Sequence, residues 1–122
     1  MNFKLSDLSE NHIDILVEAL DLYSRIGMGQ FHQAPFVYGC YEYDKTEHIT
    51  DELKKAVGLR PSSFKSIGSK KLDDKFRVAW DMHQVLRHKI SWQRNPEGNP
   101  MNVNYDKPFK WSKEPLIKAD VL

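Results

Sequence analysis

Between Ile13 and Ile26 the apolar residues fall on two adjoining helical stripes. Ile13, Leu16, Val17, Leu20 and Tyr23 form one, and Ile15, Ala19, Leu22 and Ile26 flank it. Spacings of three and four mark an amphipathic helix. A stripe this wide calls for neighbours on two sides, so the helix is expected to sit centrally. Ser9 is placed to cap its N-terminus, with Glu10 and Asp14 near the positive end of the helix dipole. Gly27 and Gly29 are its stop, since glycine accepts the left-handed C-cap conformation.

The segment from about Leu72 to Trp92 supplies a second long helix to pack against the first. Leu72, Phe76, Ala79, Trp80, His83, Leu86 and Ile90 share one face. Asp73 and Asp74 at its start, and Arg87, His88 and Lys89 towards its end, complement the dipole. Asn95-Pro96-Glu97-Gly98-Asn99-Pro100 stops it. Thr46 reads as the cap of a short helix over about 47–57, closed by Gly58. Residues 31–43 read as extended: Pro35 bars a regular helix across the start, and the aromatic and β-branched residues suit a strand. A small antiparallel sheet from 2–5, 36–43 and 101–105 makes the expected fold α+β and α-rich.

Length and composition fit one soluble globular domain spanning 1–122, with 122 residues, 40% hydrophobic and 29% charged. Residues 95–122 are expected to form an extended C-terminal arm. Pro96, Pro100, Pro108 and Pro115 interrupt it, and Val103, Tyr105, Phe109 and Trp111 make it too aromatic for a free linker. It would lie over its own domain or over a second subunit, and with the wide stripe it points to a homodimer. No apolar run of about 18 residues exists, and Met1–Asp7 lacks a basic-then-apolar leader pattern, so neither membrane span nor signal peptide is expected. The single cysteine, Cys40, sits among aromatic residues and reads as a buried, inert thiol in a reducing cytoplasm.

Net charge is only +1, yet it is unevenly distributed. Residues 1–52 carry ten carboxylates against three basic side chains, a net −7. Residues 53–94 carry eleven basic side chains against three carboxylates, a net +8, and the tail is neutral. Either the two stretches face each other, within or between subunits, or the basic one attracts an anion. The acidic segment would repel a long phosphate chain, so a compact anion or an acidic protein face fits better than duplex DNA.

Two constellations could hold such an anion. The 58–71 loop offers serine hydroxyls, the backbone near Gly68, and Arg60, Lys65, Lys70 and Lys71. It is not a P-loop, because the glycine pair and the Gly-Lys-Ser/Thr order are absent. On the second long helix, His83 and Arg87 share a face and Gln84 and His88 the next, between Trp80 and Trp92. Arg25, Arg60, Lys65, Lys70, Arg87 and Arg94 would hold phosphates. Tyr23, Trp80 or Trp92 would stack a base, and His83 and Gln84 would read its edge. The bland alternatives are a solvated loop and a satisfied core histidine. The five histidines show no His-x-x-x-His spacing, so no metal or other cofactor is expected. Glu18 and Asp21 share a polar face that could approach His83, but such a face is ordinarily just solvated. No nucleophile elbow exists, which argues against an enzyme.

Ala19-Leu20-Asp21-Leu22-Tyr23-Ser24-Arg25-Ile26-Gly27-Met28-Gly29-Gln30-Phe31 resembles a segment of small uncharacterised bacteriophage proteins. Ala79-Trp80-Asp81-Met82-His83-Gln84-Val85-Leu86-Arg87 and Asn95-Pro96-Glu97-Gly98 are similar in style to the same group. The resemblance covers under a third of the chain. It implies a setting in the host bacterial cytoplasm during infection, where small phage proteins block host proteins or sequester immune nucleotides. The expectation is a non-enzymatic, phage-type accessory or anti-defence protein that sequesters a small anionic ligand, a nucleotide signal. The alternative is an inhibitor that docks on a host protein through a charged face. A nucleotide-processing enzyme is the third reading, and turnover would distinguish it.

Overall fold

The computed structural model describes residues 1–97 and 107–122. Its helices are α1 (Glu10–Gly27), α2 (Gln33–Tyr38), α3 (Tyr43–Ala56) and α4 (Asp74–Arg94). The principal packing is α1 on α4, with α2 folded back on α1. Arg94 meets Asp14, His83 lies beside Asp21, and Phe76 meets Ser24. These pairs run in opposite order along the two helices, so α1 and α4 are antiparallel.

Both long helices begin where their sequences dictate. Ser9 caps α1, accepting from the His12 amide at 3.2 Å, while the His12 imidazole accepts from the Ser9 amide at 2.9 Å. This is a capping box with histidine in the place usually taken by Glu or Gln. Asp73 caps α4 through the Lys75 amide at 3.0 Å. α1 ends at Gly27 with Met28 as C-cap, and Gly29 takes the left-handed conformation, φ +86°. The helices approach closely because Ser24 and Gly27 are small. Ser24 is fully buried and donates through Oγ to the Phe76 carbonyl at 2.9 Å. A Cβ on Gly27 would overlap the Phe76 ring. Among the described residues, Met28, Leu72, Ala79, Val85 and Leu86 are the buried apolar ones.

The expected sheet is not formed: the structure is helical, with no strand among the described residues. Residues 2–5 carry no regular structure and are exposed. Residues 36–43 divide between the end of α2, a short connection, and the first residue of α3. The expected strand at 101–105 lies outside the described residues. Pro35 proved a poor helix veto because it falls in the first turn of α2, where backbone N–H groups have no intrahelical partner to lose. Gly39 then closes α2 at φ +103°, and the Pro35 carbonyl accepts from the Cys40 amide at 2.8 Å. Cys40 itself is half-buried rather than buried. α3 starts at Tyr43 instead of Thr46, so Thr46 lies inside the first turn. Gly58 follows the end of α3 with φ +80°, the role expected of it.

Residues 107–122 form no helix and lie along α4 of the same chain. The Trp111 and Ser112 amides each donate to the buried Asp81 carboxylate at 2.9 Å. The Lys113 amide donates to Asp74 at 3.1 Å. Consecutive amides around one carboxylate form an anion-binding concavity, here filled internally. No helix among the described residues is long and apolar enough to cross a membrane.

Candidate functional site

α1 and α4 bring a polar cluster together at mid-seam. Asp21 accepts from Arg25 Nε at 2.9 Å, and Arg25 reaches Gln30 Oε1 at 2.8 Å through its other arm. The Arg25 guanidinium lies 5.4 Å from the centroid of the Trp80 ring, a cation–π distance. The Trp80 and His83 rings are 5.0 Å apart. Three of the expected site residues, Arg25, Trp80 and His83, thus meet, and Asp21 holds Arg25 and lies beside His83.

His83 is 5% exposed, and its Nε2 stands 3.8 Å from Asp21 Oδ1, beyond hydrogen-bond length. Its Nδ1 is buried and has no hydrogen-bond partner. Burial pushes its pKa below the usual histidine value; Asp21 and, less strongly, a backbone contact with Trp80 oppose this, while Arg87 and Arg25 add to it. The imidazole is therefore neutral near pH 7 and does not form a true ion pair with Asp21. His32 behaves alike: burial lowers its pKa first, then Lys54 and Arg25. Both imidazoles thus feel Arg25, His32 with Lys54 and His83 with Asp21 and Arg87, and Asp21 also holds Arg25. Gln84 is half-buried beside His83 on α4.

The remaining expected residues lie elsewhere. Tyr23 packs on Phe76 with ring centroids 5.1 Å apart. It faces a cleft of about 650 Å³ between α1, α4 and the tail, lined also by Leu20, Val78, Met82, Pro115 and Ile117. One cation, Lys75, lines that cleft with Asp81 and Glu114, a poor setting for an anion. Trp92 lies twelve residues beyond Trp80, about 18 Å along the helix, so the two indoles cannot clamp one base. Trp92 donates to His88 Nε2 at 3.1 Å. Arg94 is held by Asp14 at 2.9 Å and Glu10 at 3.7 Å, so one end of the basic stretch does face the acidic one.

The 58–71 loop is ordered around a residue that sequence reasoning passed over, Arg77. Its guanidinium donates to the carbonyls of Ile67 at 2.7 Å, Leu72 at 2.9 Å and Ser69. Those carbonyls gather on a cation, the reverse of a phosphate cradle, which needs N–H groups converging. Ser63 and Ser69 spend their hydroxyls on the loop's own backbone, and the Lys65 amide donates to the Met28 carbonyl at 2.8 Å. Lys65 Nζ reaches the Lys71 carbonyl at 3.4 Å, and Arg60 and Lys70 are exposed. Asp73 already occupies the N-terminus of α4 that follows. Among the described residues no cluster of three His, Cys, Asp or Glu is placed to hold a metal.

Asp21 was visible as a carboxylate able to approach His83, but its partnership with Arg25 required only i, i+4 spacing and was missed. His32, Arg77 and Asp81 gave no such signal. Compared with family models, curated proteins and solved structures, the chain matches none.

Proposed function

We propose that this protein binds a small anionic ligand without turning it over, anchored at the Arg25–Trp80–His83–Arg87 cluster. One observation carries the reading: the buried His83 makes no well-formed hydrogen bond at Nδ1 and lies beside the Trp80 ring, where Asp21, Arg87 and Arg25 all act on it. A buried polar atom without a partner is disfavoured, and a ligand group would relieve it. Arg87 contributes charge, Trp80 an aromatic face, and His83 an edge that can donate or accept. That combination suits a nucleotide. With the resemblance of residues 19–31 and 79–98 to small bacteriophage proteins, the ligand is proposed to be a host nucleotide signal. The protein's role is then anti-defence sequestration in the bacterial cytoplasm.

Calorimetric titration with inorganic phosphate, nucleoside triphosphates and cyclic dinucleotides tests this. A nucleotide is expected to bind, and Arg87→Ala is expected to weaken it more than about tenfold, since a charge-assisted hydrogen bond contributes about 1.5–3 kcal/mol. Circular dichroism checks that the variant folds. No binding across the panel overturns the reading, and release of a product overturns its non-enzymatic part. The second reading, docking on a host protein, has one observation in its favour. The 58–71 loop holds its backbone internally through Arg77 while Arg60, Lys70 and Lys71 remain exposed. Salt-sensitive retention of a host protein with no nucleotide bound would favour it.

A further inference from the structure

Three charged residues of α4 stand outside the Arg25–Trp80–His83–Arg87 cluster. Asp74, Arg77 and Asp81 follow one another at spacings of three and four, so they share one face of the helix. Each holds a segment that is not helical. Arg77 gathers the carbonyls of Ile67, Ser69 and Leu72, which fixes the turn around Gly68. Asp81 takes the Trp111 and Ser112 amides at 2.9 Å, and Asp74 takes the Lys113 amide at 3.1 Å. The two segments held in this way meet, since a Cβ on Gly68 would stand 3.8 Å from the Trp111 ring.

The anchored tail presents two aromatic rings to water. Phe109 and Trp111 stack with centroids 6.5 Å apart and planes at 30°, yet they are 77% and 47% exposed. One exposed ring is ordinary on a protein surface. A stacked pair on a backbone fixed at Trp111, Ser112 and Lys113 is a preorganised platform, because little freedom remains to be lost when a ligand stacks on it. Its surroundings are cationic. Residues 60–71 contain Arg60, Lys65, Lys70 and Lys71, residues 107–113 contain Lys107, Lys110 and Lys113, and neither stretch contains a carboxylate. Lys70, Lys71 and the three tail lysines are exposed. Lys70 and Lys71 follow Gly68 by two and three residues, a span of about 7–11 Å at full extension, which keeps them at the Trp111 edge of the platform. The bordering carboxylates Asp73, Asp74 and Asp81 each accept a backbone amide, and Glu114 lines the cleft described above.

A single nucleic-acid strand is recognised by this combination: its bases stack on aromatic faces while its phosphates follow the cations. An acidic peptide would use the lysines and leave the rings idle. A duplex keeps its base faces covered by their own stacking, so it cannot use the platform. We infer that Phe109 and Trp111, with Lys107, Lys110 and Lys113 of the tail and Lys70 and Lys71 of the loop, bind a single nucleic-acid strand with little regard to its sequence. None of these residues except Lys70 entered the expected anion site, and none belongs to the cluster on α1 and α4, so this inference does not depend on capture of a nucleotide there.

Fluorescence anisotropy of a labelled oligothymidylate of about ten nucleotides, titrated with the full chain at low salt, tests it. Binding is expected, and it is expected to weaken as salt rises, because phosphate contacts release counterions. Phe109→Ala is expected to weaken it at least about fivefold, the lower end of what one stacked base contributes, while Phe109→Tyr keeps it. Lys70→Glu with Lys71→Glu is expected to weaken it at least about tenfold at low salt and to flatten its salt dependence. All three side chains are exposed, so circular dichroism is expected to show intact helices in each variant. Whatever affinity a duplex of the same length shows is expected to be indifferent to Phe109→Ala. No binding of the strand at low salt overturns the inference. Strand binding that Phe109→Ala leaves unchanged overturns it too, by reducing the patch to a general attractor of polyanions. Retention of an acidic protein through the same lysines, with no strand bound, overturns it in favour of the docking reading.

Discussion

His83 shows how one side chain takes its properties from its neighbours. Burial, Arg87 and Arg25 hold its pKa below the ordinary value, and Asp21 offsets them only partly. A histidine held neutral in the fold takes up a proton on unfolding, so stability falls as pH drops through the unfolded value, about 6.5, towards the folded one. His32 adds to the same acid-side loss. Urea unfolding at a series of pH values is expected to show this decline, and His83→Gln is expected to make it shallower. An unchanged slope would mean that His83 is not the buried, neutral group described. The helical spacing made His83 legible as an inward residue. Its orphaned Nδ1 was not legible, because that depends on which groups α1 happens to bring opposite it.

At the scale of elements, α1 and α4 were readable, α2 was misread as extended, and α3 was misread at its start. Periodicity located both long helices closely, and Ser9 was legible as the cap of α1 because capping is a local hydrogen bond, whereas Asp73, read only as a charge at the helix start, proves to cap α4. Pro35 was weighed as a helix breaker, and only its register within α2 made it harmless. Gly27 supplies the sharpest test of the α1–α4 contact. In an exposed helix, replacing glycine by alanine stabilises by roughly 0.5–1 kcal/mol. Here the added methyl would overlap the Phe76 ring. Gly27→Ala is therefore expected to destabilise by about 1–3 kcal/mol, the usual consequence of overpacking. Chemical denaturation gives the sign, and a stabilised variant would mean that the helices are not in such close contact.

For the molecule as a whole, the tail decides how α4 is covered. Asp81 is 3% exposed and takes the Trp111 and Ser112 amides. Asp81→Ala would leave two amides unpaired at a site where burial is nearly complete, a loss of about 1–3 kcal/mol. Hydrogen exchange is expected to show lost protection at Trp111, Ser112 and Lys113, with α1 and the first turns of α4 less affected. Uniform loss across α1 and α4 would mean instead that the tail is part of one cooperative unit with the helices. The sequence foresaw an aromatic arm that lies on protein, and it left open which copy it covers. The hydrogen bonds to Asp81 and Asp74 place it on its own chain.

What the sequence determined by itself was local: the two long amphipathic helices, the Ser9 cap, the glycine stops and the division of charge along the chain. Each depends on residues within a turn or two of one another, or on composition alone. Only the tertiary structure decided the rest. It turned the expected strand at 36–43 into helix and connection, turned the loop carbonyls onto Arg77, and gave Asp81 to the tail. It also set Asp21, Arg25, Trp80 and His83 together across the seam. These depend on partners far apart in sequence, whose meeting is fixed by how closely Ser24 and Gly27 let α1 approach α4, and no short-range pattern encodes that distance.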